Sequence, residues 1–206
     1  MKKIMFNDKF GLTQAVLERR KTQTRRLITC YACKQVLTPL HYQGSTSYDD
    51  FAIQQHAKYK VGEEVWIAQS YQSLGYKPDD WIENIDGGMQ PAHELAGYTN
   101  KMFVRSIYLE HRIRITGVRV ERLQSISDED CMREGVFKYD KPPLHHEYDP
   151  FAPWPPYVKP YKWNYDNLKY YCKPQAAFAH LIDRVSGGGT WRSNPWVFVY
   201  DFELLH

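Results

Sequence analysis

Residues 17–26 read Leu17-Glu18-Arg19-Arg20-Lys21-Thr22-Gln23-Thr24-Arg25-Arg26. Five of these ten residues are cationic, and two of the others are threonines on either side of a glutamine. The first part has a helical pattern and the last part an extended one, which predicts Lys21 and Thr22 at the junction of a helix and a strand. Such junctions present side chains to ligands. The positive charge here favours an anion, such as an RNA backbone or a nucleotide.

The hydrophobic pattern on both sides of this stretch predicts an α+β fold. Apolar residues at spacings of three and four indicate helices, and alternating apolar residues indicate strands. Strands are predicted at residues 3–6, 24–29, 64–71, 112–116, 118–123 and 196–205, with a bulge at Gly117. Helices are predicted at residues 9–19 and 175–185, with a short one between Ser127 and Gly135. Irregular spacing of these elements favours a small mixed or closed sheet.

The length of 206 residues predicts a single domain spanning 1–206. Stretches without sustained periodicity suggest insertions at about 30–60, 72–100 and 136–174. The last of these is a long loop rich in proline and aromatic residues. Loops of that length in a compact domain are usually functional or disordered, and the aromatics argue against disorder.

The net charge of +3 conceals an asymmetry along the chain. Residues 1–34 carry nine Lys/Arg against two Asp/Glu, and residues 101–122 carry six against two. The remainder of the chain is acidic. This distribution predicts a localised anion site or, as the alternative, two solvated basic faces.

We expect a cytoplasmic protein without a membrane partner. No apolar run reaches the roughly 18 residues of a membrane span, and the basic start lacks the apolar stretch of a signal peptide. The four cysteines are therefore expected to be reduced. Cys30 and Cys33 have the spacing of a zinc knuckle, but no second pair exists. They are weak zinc candidates, so no metal or other cofactor is expected.

Residues 17–26 resemble the signature of ASCH domains, in the form found in phage and prophage proteins. Further stretches resemble the family in the same order along the chain. They are Tyr59-Lys-Val-Gly-Glu-Glu-Val-Trp-Ile67, Arg112-Ile-Arg-Ile-Thr-Gly-Val-Arg-Val-Glu-Arg-Leu-Gln124, Ser127-Asp-Glu-Asp-Cys-Met-Arg-Glu-Gly135, residues 178–182 and Asn194-Pro-Trp-Val-Phe-Val-Tyr-Asp-Phe202. Together these matches span nearly the whole chain.

The resemblance implies a fold of the PUA-like superfamily, a small β-barrel with flanking helices and a cleft for RNA or a modified nucleoside. One bacterial branch of the family removes the acetyl group from 4-acetylcytidine. In that branch the working residues are a lysine and a threonine of the signature and a glutamate on the central strand. Lys21 and Thr24 stand at the first two positions, and Arg114 stands at the position aligned with the glutamate.

Three functions follow as expectations. The first is binding of RNA or a modified nucleoside or nucleotide in a basic cleft, with Arg114 favouring a permanent anion. The second is an amidohydrolase acting on 4-acetylcytidine or a related nucleoside, with Lys21 and Thr24 catalytic and Glu64, Glu110 or Glu121 as the substitute carboxylate. The third is a phage accessory protein that binds an unidentified protein partner through the aromatic loop.

The remaining candidates for ligand binding are two arginines and two tryptophans. Arg20 and Arg25 are cationic neighbours of Lys21 that would lower its pKa. Trp163 lies in the aromatic loop and could stack on a base. Trp66 lies in a predicted strand, where a place in the core is the alternative to ligand contact.

Overall fold

The computed structural model describes residues 2–29, 36, 56–138, 161–162 and 171–205. These residues form an α+β fold, as the sequence predicted. The strands are β1 (Lys3–Ile4), β2 (Gln23–Leu27), β3 (Glu64–Ile67), β4 (Trp81–Glu83), β5 (Met89–Pro91), β6 (Arg112–Arg122), β7 (Phe137–Lys138), β8 (Tyr161–Lys162) and β9 (Trp196–Leu205). The helices are α1 (Leu12–Leu17), α2 (Asp128–Arg133), α3 (Pro174–Ser186) and α4 (Thr190–Ser193).

The main sheet has five strands in the order β1-β3-β6-β9-β2. β1 is parallel to β3, and the other neighbours are antiparallel. Within the described ranges, β1 and β2 stand at opposite ends of this order. The sheet is therefore open in the part of the chain that the structure describes, and the closed barrel stays a prediction.

The predicted bulge at Gly117 is confirmed. β6 pairs with β9 along its whole length, with a shift of register between Ile115 and Gly117. A Cβ atom at Gly117 would lie 3.0 Å from Oδ2 of Asp201. Because that approach is tighter than most Cβ contacts in proteins, glycine suits the position.

Helix α1 is shorter than the pattern predicted. Gly11 adopts a φ of +67° and separates a 3₁₀ turn at Asp8–Phe10 from α1. At the other end, Arg19 adopts a φ of +60° and turns the chain towards β2. The predicted junction is confirmed, because Lys21 and Thr22 lie between α1 and β2.

The other two predicted helices are confirmed. The hydroxyl of Ser127 caps α2 by accepting a hydrogen bond from the backbone N–H of Asp130. Helix α3 buries one apolar face, including Phe178 and Leu181, in the core that covers the sheet. None of the helices in the described ranges is long and apolar enough to cross a bilayer.

Residues 72–100 contain more structure than the predicted loop. β4 and β5 form a hairpin whose buried residue Ile82 joins a second apolar cluster with Tyr71, Ala92, Val104 and Leu109. The three-residue strands are too short to show a pattern of alternation, which explains why the sequence did not reveal them. Most of the predicted loop at 136–174 lies outside the described residues.

Candidate functional site

A cavity of about 640 Å³ opens between the N-terminal segment, β2 and α3. Its apolar lining includes Phe6, Leu12, Phe178, Leu181 and Ile182. Its polar lining includes Lys21, Thr24, Arg25, Arg26 and Glu134. The volume falls in the range of roughly 300–1,000 Å³ that small-molecule sites occupy.

Lys21 lines the cavity and is almost completely buried, with 2% of its surface exposed. Its backbone N–H donates to the carbonyl of Ala15 at 2.9 Å, which fixes it against the end of α1. Its Nζ donates to Oε2 of Glu134 at 2.5 Å and to the backbone carbonyl of Glu134 at 2.9 Å. Burial is the main reason that the pKa of Lys21 is lowered, although the charge of Glu134 opposes the change.

Glu134 is the carboxylate that the sequence reasoning missed. It follows α2, and Gly135 then adopts a φ of +103°, which places the turn directly against the junction. A Cβ atom at Gly135 would lie 3.6 Å from Cβ of Ala15 and 3.7 Å from Cβ of Lys21. The signal in the sequence was the Glu-Gly pair at the end of the predicted short helix.

Arg25 lines the cavity, but its guanidinium is engaged by other side chains. Nη1 donates to Oε1 of Glu134 at 3.1 Å and to the side chain of Gln23. Nη2 donates to Glu121 at 2.5 Å and to Asp130 at 3.0 Å, and Nε donates to Glu121 at 3.1 Å. Burial alone would lower the pKa of Arg25, but the charges of Glu134 and Glu121 outweigh it and raise that pKa. Through these contacts Arg25 fixes the positions of the carboxylates of Glu121, Asp130 and Glu134.

Further ion pairs extend from Arg25 across the sheet. Arg119 binds Asp201 at 2.6 Å and Asp130 at 2.8 Å, and Arg133 binds Asp201 at 2.6 Å. Burial would raise the pKa of Asp130, but hydrogen bonding to Arg25 outweighs it and lowers that pKa. The network holds four cations and four carboxylates, Lys21, Arg25, Arg119, Arg133, Glu121, Asp130, Glu134 and Asp201. Its formal charge is therefore balanced.

Thr24 lies three residues after Lys21 and also lines the cavity. It is 5% exposed. Among the described residues, its hydroxyl has no hydrogen-bond partner. The hydroxyl is therefore available to a ligand, and the cavity is lined by a hydroxyl, a buried amine and a carboxylate.

Three further residues predicted to bind a ligand, Arg20, Arg114 and Trp66, do not line the cavity. Arg114 is 45% exposed on β6, where it binds Glu64 and Glu203 at 3.1 Å each. Arg20 binds Glu18 and lies over the ring of Phe137. Both arginines therefore bind neighbouring carboxylates outside the cavity.

The remaining candidate residues are two tryptophans and two cysteines, and only Trp66 lies in the described part of the chain. Trp66 packs against the second apolar cluster, with the guanidinium of Arg112 5.2 Å from its ring centre. Trp163, Cys30 and Cys33 lie outside the described residues. In the described ranges, no group of three or more His, Cys, Asp or Glu side chains could hold a metal ion.

Comparison with known proteins returned no match to a protein-family model, to a curated protein or to a solved structure. The class is therefore defined by the fold and the site alone. They describe an α+β protein with a cavity lined by a buried lysine–glutamate pair and by a threonine.

Proposed function

We propose that this chain is an ASCH-type amidohydrolase that removes an acyl group from 4-acetylcytidine or a related nucleoside. The observation that carries the proposal is that the buried ion pair of Lys21 and Glu134 and the hydroxyl-bearing Thr24 line the same cavity. Glu134, rather than Glu64, Glu110 or Glu121, then supplies the carboxylate of the reaction. The proposal includes a PUA-like fold, of which the five-stranded sheet forms a part.

The reaction uses the buried amine of Lys21 as its base. The neutral amine accepts the proton of the Thr24 hydroxyl as the oxygen attacks the acyl carbonyl, and the carboxylate of Glu134 stabilises the ammonium that results. The carbon–nitrogen bond then breaks, and the leaving amine takes a proton from Lys21. Water hydrolyses the acyl ester of Thr24, so that one water is consumed and a carboxylic acid and a free amine are released.

The charges around the base of the cavity favour an uncharged group of a ligand at that place. The network of ion pairs behind the cavity has no net formal charge. Its two buried cations, Lys21 and Arg25, both pair with the carboxylate of Glu134. A phosphate placed there would have to compete with these carboxylates for Lys21 and Arg25. The two aromatic rings of the lining, Phe6 and Phe178, suit a planar ligand ring.

The first test is release of cytidine from 4-acetylcytidine, followed by chromatography. We expect turnover by the wild-type protein and none by Lys21→Ala or Thr24→Val. Arg114→Gln is the matched control, because Arg114 lies outside the cavity, and it should retain turnover. Absence of turnover in the folded wild-type protein would overturn the proposed reaction.

The second candidate is binding of RNA or a nucleotide without catalysis. The cations at the cavity favour it, because Lys9, Arg26 and Lys101 all line the opening or wall. Titration with cytidine 5′-monophosphate or a short RNA distinguishes the two candidates. Affinity for these anions in the absence of amide turnover would favour the binding function. The third expectation, a protein-binding aromatic loop, concerns residues that are mostly outside the described ranges.

A further inference from the structure

Arg26 is a residue of the cavity that the sequence analysis did not single out. It lies two positions after Thr24 on β2, so the two side chains emerge on the same side of the strand. Its Nη2 donates to the backbone carbonyl of Met5, and its guanidinium lies 5.8 Å from the ring centre of Phe6. Both Met5 and Phe6 line the cavity, so Arg26 is anchored in the wall.

Arg26 differs from the other enclosed cations of the cavity in lacking a carboxylate. Lys21, Arg25 and Lys101 each have a carboxylate oxygen within 3.1 Å. Among the described residues, Arg26 forms no ion pair, and the exposed Lys9 on the rim forms none either. Burial lowers the pKa of Arg26, because a buried positive charge without a carboxylate partner costs free energy. A ligand oxygen at this position would offset that cost.

We propose that Arg26 binds the acyl carbonyl oxygen of the substrate and stabilises the oxyanion that forms on it. This inference rests on the proposed amidohydrolase function. A guanidinium presents two N–H groups in one plane, and one bond to Met5 leaves donors for a ligand. As Thr24 Oγ1 forms its bond to the carbonyl carbon, the electron pair of the C=O bond moves to oxygen beside Arg26. The pair returns when the carbon–nitrogen bond breaks and Lys21 protonates the leaving nitrogen.

The charge near the reacting groups agrees with this role. Arg26 lowers the pKa of Lys21 and experiences the charge of Glu134, so the three groups lie within electrostatic reach of one another. Without a ligand, Arg26 adds one positive charge to the balanced network of ion pairs that includes Lys21 and Glu134. In the oxyanion state the negative charge of the substrate balances it.

The test compares Arg26→Met and Arg26→Lys with the wild-type protein and with Arg114→Gln, an arginine exchange outside the cavity. We expect Arg26→Met to lower kcat for 4-acetylcytidine by about 10²–10³-fold, as loss of one oxyanion donor does. Arg26→Lys should retain part of the rate. Calorimetric affinity for cytidine, which lacks the acyl group, should stay unchanged in both. A kcat within threefold of wild type, or a parallel loss of cytidine affinity, would overturn the role of Arg26.

A second readout separates this inference from the proposed function. Acetate, the other product, carries the same oxygens that Arg26 would bind. Binding of ¹³C-acetate to the wild-type protein, lost in Arg26→Met but retained in Arg114→Gln, supports an acyl-oxygen site even if no turnover is found. Equal binding of acetate to Arg26→Met and the wild type would contradict the site. Thermal unfolding of each variant controls for loss of folding.

Discussion

Lys21 and Glu134 lie 113 residues apart in the sequence and form an ion pair that the protein almost completely excludes from water. Desolvating two charges often costs as much as their attraction returns, so a buried ion pair contributes little net stability. Two residues at the edge of a cavity, one of them a lysine with a lowered pKa, indicate a functional role.

Removing one partner of this pair should destabilise the protein strongly. In Glu134→Ala, the buried Nζ of Lys21 loses its carboxylate, and such changes typically cost about 3–5 kcal/mol. Urea-induced unfolding measures the difference. Glu203→Ala is the control, because Glu203 forms an exposed pair with Arg114 and should cost no more than about 1 kcal/mol. Equal losses in the two variants would contradict the burial of the pair.

The pH dependence of turnover should follow the titration of Lys21. Only the neutral amine accepts a proton, and its fraction increases as pH rises through the pKa of Lys21. Because burial lowers that pKa, the rate should rise with pH and level off below the ordinary lysine range of about 10.4. Steady-state rates measured from about pH 5 to about pH 10 give the profile. A rate that falls across this window would exclude Lys21 as the base.

Thr24→Ser and Thr24→Val separate the hydroxyl from the shape of the side chain. Serine keeps the nucleophilic oxygen, so Thr24→Ser should retain measurable turnover. Valine replaces the hydroxyl by a methyl group of similar size, and turnover should fall by at least about 10²-fold. Melting temperatures should stay close to that of the wild type. Full activity in Thr24→Val would mean that water attacks the substrate directly.

Gly135 should be required for both stability and the position of Glu134. Alanine at its φ of +103° costs about 1–2 kcal/mol. Gly62 provides the matched control, because it adopts a φ of +83° and a Cβ atom added there would meet nothing within 4 Å. Gly62→Ala and Gly135→Ala should lose similar stability, but only Gly135→Ala should also lose turnover. Unimpaired turnover in Gly135→Ala would show that the turn does not position Glu134.

Several local elements of the fold could be predicted from the sequence. A run of aromatic and β-branched residues specifies β9, Gly117 specifies the bulge, and Ser127 with the acids after it specifies the start of α2. Each of these signals acts over a few neighbouring residues. The junction between a helix and a strand at Lys21 was also predicted from the pattern of neighbouring residues.

The partners of the site could not be predicted in the same way. The contact between Lys21 and Glu134 depends on how the turn at Gly135 packs against α1, which no local pattern encodes. For Arg114, the sequence could not show on which side of the sheet the side chain lies. Successive residues of a strand point to opposite sides, and the side that faces a ligand depends on the packing of the sheet. Its pairs with Glu64 and Glu203 emerged only from the structure.

The most direct test of the central claim is kcat/KM for 4-acetylcytidine in the wild type and in Glu134→Gln. Glutamine keeps nearly the same size as glutamate but lacks the negative charge that stabilises the ammonium of Lys21 formed in the reaction. The account predicts that the wild type releases cytidine and that folded Glu134→Gln is at least about 10²-fold slower. Equal rates in the two proteins, or no cytidine release by the wild type, would contradict it.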